Sequence, residues 1–369
     1  MEVVRPYGFD KWMLAITLIL VILGLVMVFS ASGVASAEKY AQPFYFLVQQ
    51  AMGAAAGLGL TLALLAVRKP FYQQLPFIFG LLAATFGLLV LCFLMPPVAK
   101  TNRWVTLGGI RFQPSELAKI SLVLFLAWYL DRRKDKIQEA SSLVVPLVVL
   151  GLVVLLILKE PDFGTAVLVF ALGLILLFVG GVRLKHFLYM GFAAIPVFAY
   201  FVTTASYRME RILAFLQPDK SALSLNFQVT QSRYALGAGG IIGSSLGEGV
   251  QKLFLPCPHT DFIYAILGEE LGFVGALVTL VFFVILVWRG VLISLKAPNL
   301  FSQLAAAGLT FLLGIQALLN ITVVLGLGPA KGVPLPFLSF GRSSLVCDLL
   351  VIGILLHISQ RRETQRSQA

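Results

Sequence analysis

The sequence predicts an all-α polytopic membrane protein with about ten transmembrane helices, and two observations support this class. Of the 369 residues, 59% are hydrophobic and 12% are charged, with a mean hydropathy of +0.93. Soluble proteins contain about half apolar and about a quarter charged residues. Apolar runs of about 17 to 25 residues also recur along the chain, and each is long enough to cross a hydrocarbon core about 30 Å thick as a helix.

Ten runs of this kind are the predicted spans. They cover residues 11–30, 44–67, 75–95, 114–130, 143–158, 164–181, 186–203, 262–288, 302–326 and 342–358. The first run has the position of a signal peptide. Its length and the spans that follow it predict an uncleaved anchor instead.

The distribution of basic residues predicts the orientation of the bundle. With a cytoplasmic N-terminus, fifteen Lys and Arg residues fall in inside segments and seven fall in short outside loops, while six lie in the long loop or within a helix. Because basic residues concentrate in cytoplasmic loops, both termini are predicted to be cytoplasmic. This bias also accounts for the net charge of +11, so no nucleic-acid partner is expected.

Cysteines and glycines exclude two further classes of site. The three cysteines show no paired spacing, so we expect neither a disulfide framework nor a metal cage. Six glycines crowd residues 237–249, but a Walker lysine and a dinucleotide spacing are both missing, so no nucleotide site is expected. Close backbone packing and approach of backbone amides to a diphosphate remain as alternatives for these glycines.

We predict a single transmembrane domain over residues 1–369, with one long extracytoplasmic loop at 204–260 between the seventh and eighth spans. Loops of this length are usually functional or disordered. This loop is too apolar for disorder, and residues 207–218 have the composition of a short amphipathic helix along the interface. We therefore expect an ordered cap lying on the membrane.

Polar residues gather around the start of the eighth span. His259 and Asp261 are predicted at the membrane surface, and Glu269 and Glu270 about two turns deeper. Carboxylates at such depth are costly unless they face a cavity or pair with a cation. Asp261 suits either a helix N-cap or a catalytic role, whereas the two glutamates are interpreted as structural partners of buried cations. His259 is interpreted as a hydrogen-bonding scaffold rather than a metal ligand.

Three other polar clusters are predicted on the same outer side. Glu116 and Lys119 are three residues apart on one helical face, so they pair either with each other or across the bundle. The remaining charged and hydroxyl residues in these clusters are Arg103, Lys159, Glu160, Asp162, Lys331, Ser339, Arg342, Ser343 and Ser344. Four clusters on one side indicate a cavity open to the outside.

Four phrases in this order resemble the SEDS family of shape, elongation, division and sporulation proteins (FtsW/RodA/SpoVE). They are "RFQPSELAK", "EPDFGTA", "PHTDFIYAILGEELGF" and "GVPLPFLSFGRSS". The resemblance spans nearly the whole chain. The phrases "VMVFSAS" and "LGEGVQKLFLP" are more similar to the FtsW branch than to the RodA branch.

The resemblance implies a peptidoglycan glycosyltransferase in the bacterial cytoplasmic membrane. Such an enzyme polymerises lipid II into β-1,4 glycan with inversion and releases undecaprenyl diphosphate. The implied cofactor is a divalent cation, Mg²⁺ or Mn²⁺, without a nucleotide. The implied partners are lipid II, undecaprenyl-linked glycan, membrane lipid, a cognate class B penicillin-binding protein and other membrane proteins of the division or elongation machinery.

Site roles follow from the same resemblance. The family's essential aspartate falls on Asp261, which is expected to act as general base or as ligand of the metal ion. Arg103, Lys119 and Lys331 are expected to bind the diphosphate or to balance buried carboxylates such as Glu116. The other expected substrate-binding residues are His259, Ser343 and Ser344.

The chain departs from the family pattern at two positions. Cys257 stands where members usually have a glutamate, and Arg342 stands where they have a glycine; Arg342 either adds a phosphate contact or fills space. Two other functions stay open at this point. A lipid II flippase needs polar groups reachable from both leaflets, and a division scaffold needs only a partner-binding surface. The one-sided polar clusters favour the enzyme.

Overall fold

The computed structural model describes residues 8–67, 69–96, 101–108, 110–204, 209–210, 213, 215, 227–329 and 332–366. Eleven α-helices lie in this part of the chain. They are α1 (Lys11–Tyr40), α2 (Tyr45–Ala66), α3 (Leu75–Leu94), α4 (Pro114–Arg132), α5 (Val144–Lys159), α6 (Phe163–Val179), α7 (Leu184–Thr203), α8 (Phe227–Ala238), α9 (Ile263–Leu295), α10 (Leu300–Val324) and α11 (Arg342–Arg366).

Each of the ten predicted spans coincides with one long helix. Eight segments in the described part of the chain are long and apolar enough to cross a membrane, and they contain α1–α3, α5, α7 and α9–α11. Of the other two, α6 has 17 residues and α4 carries four charged side chains. The predicted polytopic membrane fold is therefore confirmed in its helical elements, because run length alone selects segments that match bilayer thickness.

The all-α bundle contains one short hairpin in the loop before α4. Strands β1 (Val105–Leu107) and β2 (Ile110–Phe112) form an antiparallel hairpin in which Val105 faces Phe112. The two residues between the strands are glycines, the composition of a two-residue hairpin turn, and Gly108 has a φ of 55°. The hairpin leads into α4, which begins at Pro114.

Helices α4, α10 and α11 form the core of the bundle. Of the eight spanning segments, α7 has the smallest share of residues buried against other parts of the protein. Helices α2 and α11 make the most extensive contact. A Cβ at Gly57 would lie 2.6 Å from the Leu349 side chain, and the Thr61 hydroxyl donates to the Leu349 carbonyl at 2.8 Å. Small residues therefore let these helices approach closely without a hydrophobic driving force between them.

Helix α9 breaks at Gly272, whose φ of 67° and ψ of −170° are not helical. The glycine-rich segment 239–245 fills the break. The Ser244 amide donates to the Glu269 carbonyl at 3.0 Å, and the Phe273 amide donates to the Gly240 carbonyl at 2.9 Å. Gly239 and Gly243 serve close backbone packing, because a Cβ on them would lie 2.0 Å and 2.2 Å from the carbonyl oxygens of Gly268 and Glu270. The approach of backbone amides to a diphosphate stays a prediction. The predicted amphipathic helix at 207–218 lies largely outside the described residues.

Polar contacts mark the two ends of the bundle. At one end Asp10 caps α1 and accepts from the Arg289 guanidinium at 2.5 Å, while the Tyr72 hydroxyl lies 2.8 Å from Nδ1 of His357. At the other end the segment before α9 meets the loop before α11. We call this second end the site end, since it gathers the predicted site residues.

Candidate active site

Asp261 lies in the turn that precedes α9 and is partly exposed. The N-cap of α9 is Phe262, which follows Asp261 and makes no side-chain capping bond. The N-cap position of α9 is therefore one residue after Asp261. A Cβ built on Gly332 would lie 3.4 Å from Oδ2 of Asp261, so the loop before α11 approaches this carboxylate through a residue without a side chain.

The loop at 332–341, here the proline loop, is fixed to the chain around Asp261. The Ser339 hydroxyl donates to the Thr260 carbonyl at 2.7 Å, and the Phe340 amide donates to the His259 carbonyl at 2.8 Å. From α2, the fully buried Gln50 amide donates to the Ser339 carbonyl at 2.9 Å and accepts from the Gly341 amide at 3.1 Å. The proline loop is therefore held from two sides.

Two amide side chains of α10 also form hydrogen bonds to the proline loop. Nδ2 of Asn320 donates to the main-chain carbonyls of Asp261 and Val333, both at 2.8 Å. One turn earlier, Nε2 of Gln316 donates to the Pro334 carbonyl at 3.4 Å. Sequence reasoning missed Gln50, Gln316 and Asn320. The available signal was a buried amide inside an otherwise apolar helix, which needs partners at that depth.

Lys119 and Glu116 form a buried ion pair on α4. Their charged atoms are 2.8 Å apart, each side chain is 3% exposed, and Nζ of Lys119 also donates to Oε1 of Gln316 at 3.2 Å. Asp348 on α11 interacts with both charges. Of the two roles expected for Lys119, this geometry favours balancing a buried carboxylate over binding a substrate phosphate.

Arg103 reaches the turn between α5 and α6. Its guanidinium donates to the carbonyl oxygen of Glu160 at 3.3 Å and to that of Pro161. The neighbouring Asp162 caps α6 and accepts from the Gln113 amide at 3.3 Å. Two of the predicted clusters are thus joined, and the guanidinium of Arg103 is partly engaged by main-chain carbonyls.

Glu160 is fully buried at this turn. Burial and, to a lesser extent, the negative charge of Asp162 raise the pKa of Glu160 to about 8, although the Cys92 thiol and Arg103 act in the opposite direction. Glu160 is therefore mostly protonated at neutral pH. The sequence placed Glu160 in a polar cluster but gave it no role.

His259 is packed between aromatic rings. Its ring lies 4.4 Å from that of Phe46 and 5.5 Å from that of Phe340, measured between centroids. Burial lowers the pKa of His259 to about 4, so the imidazole is neutral at physiological pH. Only the main-chain carbonyl of His259 accepts a hydrogen bond among the described contacts, and Nδ1 of its ring has no partner among the described residues. The hydrogen-bonding scaffold role of the ring and a direct contact with substrate both stay predictions.

The chain matches the model of the cell cycle protein family FtsW/RodA/SpoVE over residues 10–364. It belongs to this family. A probable peptidoglycan glycosyltransferase FtsW of Geobacter sp. strain M18 is 41% identical over 97% of this chain and 98% of its own length. Stage V sporulation protein E of Bacillus subtilis is 38% identical over 95% and 97%.

Two solved structures have a fold similar to that of this chain. A chain of a peptidoglycan synthase complex gives a TM-score of 0.79, and the rod shape determining protein RodA of Thermus thermophilus gives 0.71. Each is 27% identical to this chain, and each alignment covers 96% of this chain and 98% of the other. The expected likeness to FtsW over RodA is confirmed by the higher identity to the FtsW relative.

Within the FtsW/RodA/SpoVE fold, the two glutamates of α9 have different partners. Glu270 accepts from Nζ of Lys252 at 3.0 Å and from the Ser30 hydroxyl at 2.6 Å, so its predicted cation is present. Glu269 instead accepts from the main-chain amides of Val250 and Gln251 at 2.7 and 3.0 Å. The prediction of a cationic partner is wrong for Glu269 within the described residues, because loop amides already supply the donors.

The other predicted site residues of this family member lie at the start of α11 or outside the residues that the structure describes. Ser343 and Ser344 are buried in the first turn of α11, and the Ser343 hydroxyl has no hydrogen-bond partner among the described residues. Arg342 is the first helical residue and is partly exposed. Lys331 lies outside the described residues, so its predicted role is neither supported nor opposed.

Proposed function

We propose that this protein is a peptidoglycan glycosyltransferase that polymerises lipid II at the outer face of the bacterial cytoplasmic membrane. The single observation that carries the proposal is the setting of Asp261. Its main-chain carbonyl accepts from the buried amide of Asn320, the residue is partly exposed, and the helix cap next to it is a different residue. The names of the FtsW relatives support the same activity.

In the proposed reaction, Asp261 accepts the proton of the 4-hydroxyl group of the acceptor GlcNAc. The hydroxyl oxygen forms a bond to the anomeric carbon of the donor MurNAc. The bond from that carbon to the diphosphate breaks, and its electron pair leaves with undecaprenyl diphosphate. Attack opposite the leaving group converts the α-linked donor into a β-1,4 glycan, so a carboxylate held in a fixed position is the group that this step requires.

The residues present fit a divalent cation, Mg²⁺ or Mn²⁺, only if the substrate supplies some of the ligands. The described residues contain no cluster of three or more His, Cys, Asp or Glu that would form a cage. Mg²⁺ commonly binds one or two carboxylates together with substrate phosphates, and the partly exposed Asp261 suits that arrangement. When bound, such a cation neutralises charge on the departing diphosphate.

Positive side chains at the site end are proposed to receive the diphosphate. Arg103 and Arg342 are partly exposed, and the sequence predicts Lys331 on the same outer side. Guanidinium groups hold phosphate oxygens in a bidentate fork. Lys119 is proposed as a structural residue instead, because its charge is already paired with Glu116 in the core.

Orientation and partners belong to the same proposal. The bias of basic residues places the site end outside and both termini in the cytoplasm. A class B penicillin-binding protein is the proposed partner, supported by the similarity to a chain of a peptidoglycan synthase complex. Septal synthesis is favoured over elongation by the greater identity to FtsW.

The deciding experiment incubates purified protein with its cognate class B penicillin-binding protein, Mg²⁺ or Mn²⁺ and labelled lipid II. Glycan ladders on gels are expected from the wild type and not from Asp261→Asn. The matched control is Asp131→Asn, a partly exposed carboxylate at the opposite end of α4, which should retain activity. Translocation of lipid II without polymer would indicate a flippase, and partner binding alone would indicate a scaffold.

A further inference from the structure

We infer that Asn320 is a positioning residue for the proposed reaction: it fixes the main chain at Asp261 against the proline loop at Val333. The inference rests on the proposed function and assigns a role to a residue that contacts neither the sugar nor the diphosphate. Asn320 is 2% exposed and lies in the last quarter of α10, within hydrogen-bond reach of both segments.

The geometry fixes the orientation of the Asn320 amide. Two carbonyl oxygens, of Asp261 and Val333, lie 2.8 Å from the same terminal atom. Only an NH₂ group has two hydrogens to donate to two acceptors, so that atom is Nδ2. Its two hydrogens are thereby shared between the residue that carries the proposed base and the loop that approaches its carboxylate at Gly332.

The hydrogen bond from Asn320 reaches the Asp261 carbonyl one residue before the helical bonding of α9 begins. The Ala265 amide donates to the carbonyl of Phe262, at 2.9 Å, rather than to that of Asp261. Asp261 therefore lies just outside the regular hydrogen bonds of α9. Asn320 donates to this carbonyl and to the proline loop through one NH₂ group, so the position of the Asp261 main chain is coupled to the position of that loop.

Gln316 provides a natural comparison on the same helix. It lies one turn before Asn320 on the same face, and it holds the next loop carbonyl, that of Pro334. Gln316 bonds to Lys119 on its other side and makes no hydrogen bond to Asp261 among the described contacts. Loss of Gln316 therefore perturbs the loop and the Lys119 ion pair without touching Asp261, whereas loss of Asn320 perturbs both the loop and the base.

The test compares Asn320→Leu, Gln316→Leu and Thr310→Val in the lipid II assay with the partner present. Thr310 is a fully buried residue of α10 that belongs to neither contact. Asn320→Leu should lower kcat by about 100-fold with KM changed less than about threefold, since misplacement by about 1 Å costs about that much. Gln316→Leu should lower kcat by less, and Thr310→Val by less than about twofold.

Two results would overturn the assignment: a kcat for folded Asn320→Leu within about twofold of the wild type, or a change confined to KM. Should Asn320→Leu not fold, Asn320→Ser keeps one hydroxyl donor and replaces it in the comparison. Failure of both variants to fold would also overturn the inference, because Asn320 would then be a residue of folding alone. An inactive wild type, in contrast, refutes the proposed function and is recognised before any variant is compared.

Discussion

The hydroxyl group of Ser339 donates a 2.7 Å hydrogen bond to the main-chain carbonyl of Thr260, immediately before Asp261. The same oxygen accepts from the Leu335 amide at 2.8 Å, so one atom closes the proline loop on itself and ties it to the chain before α9. Both bonds are buried or partly buried. Removal of the hydroxyl would therefore leave the Leu335 amide and the Thr260 carbonyl without this partner and with little access to water.

Ser339→Ala should therefore lower both stability and activity. The expected loss of stability is about 1–3 kcal/mol, the cost of leaving a buried polar group unpaired. Glycan synthesis should fall by about tenfold, because the base and the loop lose one of their connections. Unfolding in mixed detergent micelles and the rate of lipid II consumption measure the two effects. Ser141→Ala, an exposed serine at the opposite end, is the control and should change neither.

Removing Lys119 should be more damaging than removing the whole ion pair. Lys119→Met leaves Glu116 buried without its cation and should destabilise the protein by about 3–5 kcal/mol. The double variant Lys119→Met with Glu116→Gln should recover part of that loss, because it neutralises one of the two buried carboxyl groups near Lys119, the other being Asp348. Denaturation of the three proteins by SDS tests this order, and equal losses in the single and double variants would contradict it.

Glu160 should make stability fall as pH rises. Its pKa is raised from an ordinary value of 4.5 to about 8 in the folded protein, so the folded state binds the extra proton between these values. Unfolding then releases a proton, and stability declines through this window by at most about 1.4 kcal/mol per pH unit. Glu160→Gln removes this dependence, so its Tm advantage over the wild type should grow from about pH 5 to about pH 8.

Glu139→Gln is the matched control for this pH series, because Glu139 is an exposed carboxylate in the loop after α4. It should shift Tm equally at both pH values. A Tm difference between Glu160→Gln and the wild type that is constant with pH would show that Glu160 is ionised in the folded protein.

Gly272→Ala should prevent correct folding of the break in α9. A Cβ there would lie 2.4 Å from the Gly243 amide nitrogen and 2.5 Å from the Ile241 carbonyl oxygen, and the backbone conformation itself strongly favours glycine. Gly80→Ala on α3 meets nothing within 4 Å and should be neutral or stabilise by up to about 1 kcal/mol. The yield of monodisperse protein and its Tm distinguish the two.

The sequence predicted the helices well because a membrane span is specified locally, by run length and the absence of charge. It predicted partners less well. Glu269 and Glu270 are adjacent and chemically identical, yet one binds loop amides and the other Lys252. That difference depends on how residues 239–252 fold against the break at Gly272, which no local pattern reveals. The hairpin before α4 was recognisable from its Gly-Gly turn and was missed.

Asp261 was singled out by resemblance, whereas the amides that hold it and the proline loop beside it were not. Gln50, Gln316 and Asn320 each contact main-chain carbonyls, and carbonyls carry no sequence signature. Their common trait is burial of a polar amide in an apolar helix, which predicts that a partner exists without naming it.

The attachment of the proline loop to α2, α10 and the turn before α9 has a consequence for a polymer that grows on this protein. Three packed elements make the acidic group stationary, so successive sugar units cannot be reached by moving it. In the proposed reaction, the product strand must instead move by one disaccharide past the fixed reaction centre after each bond is made.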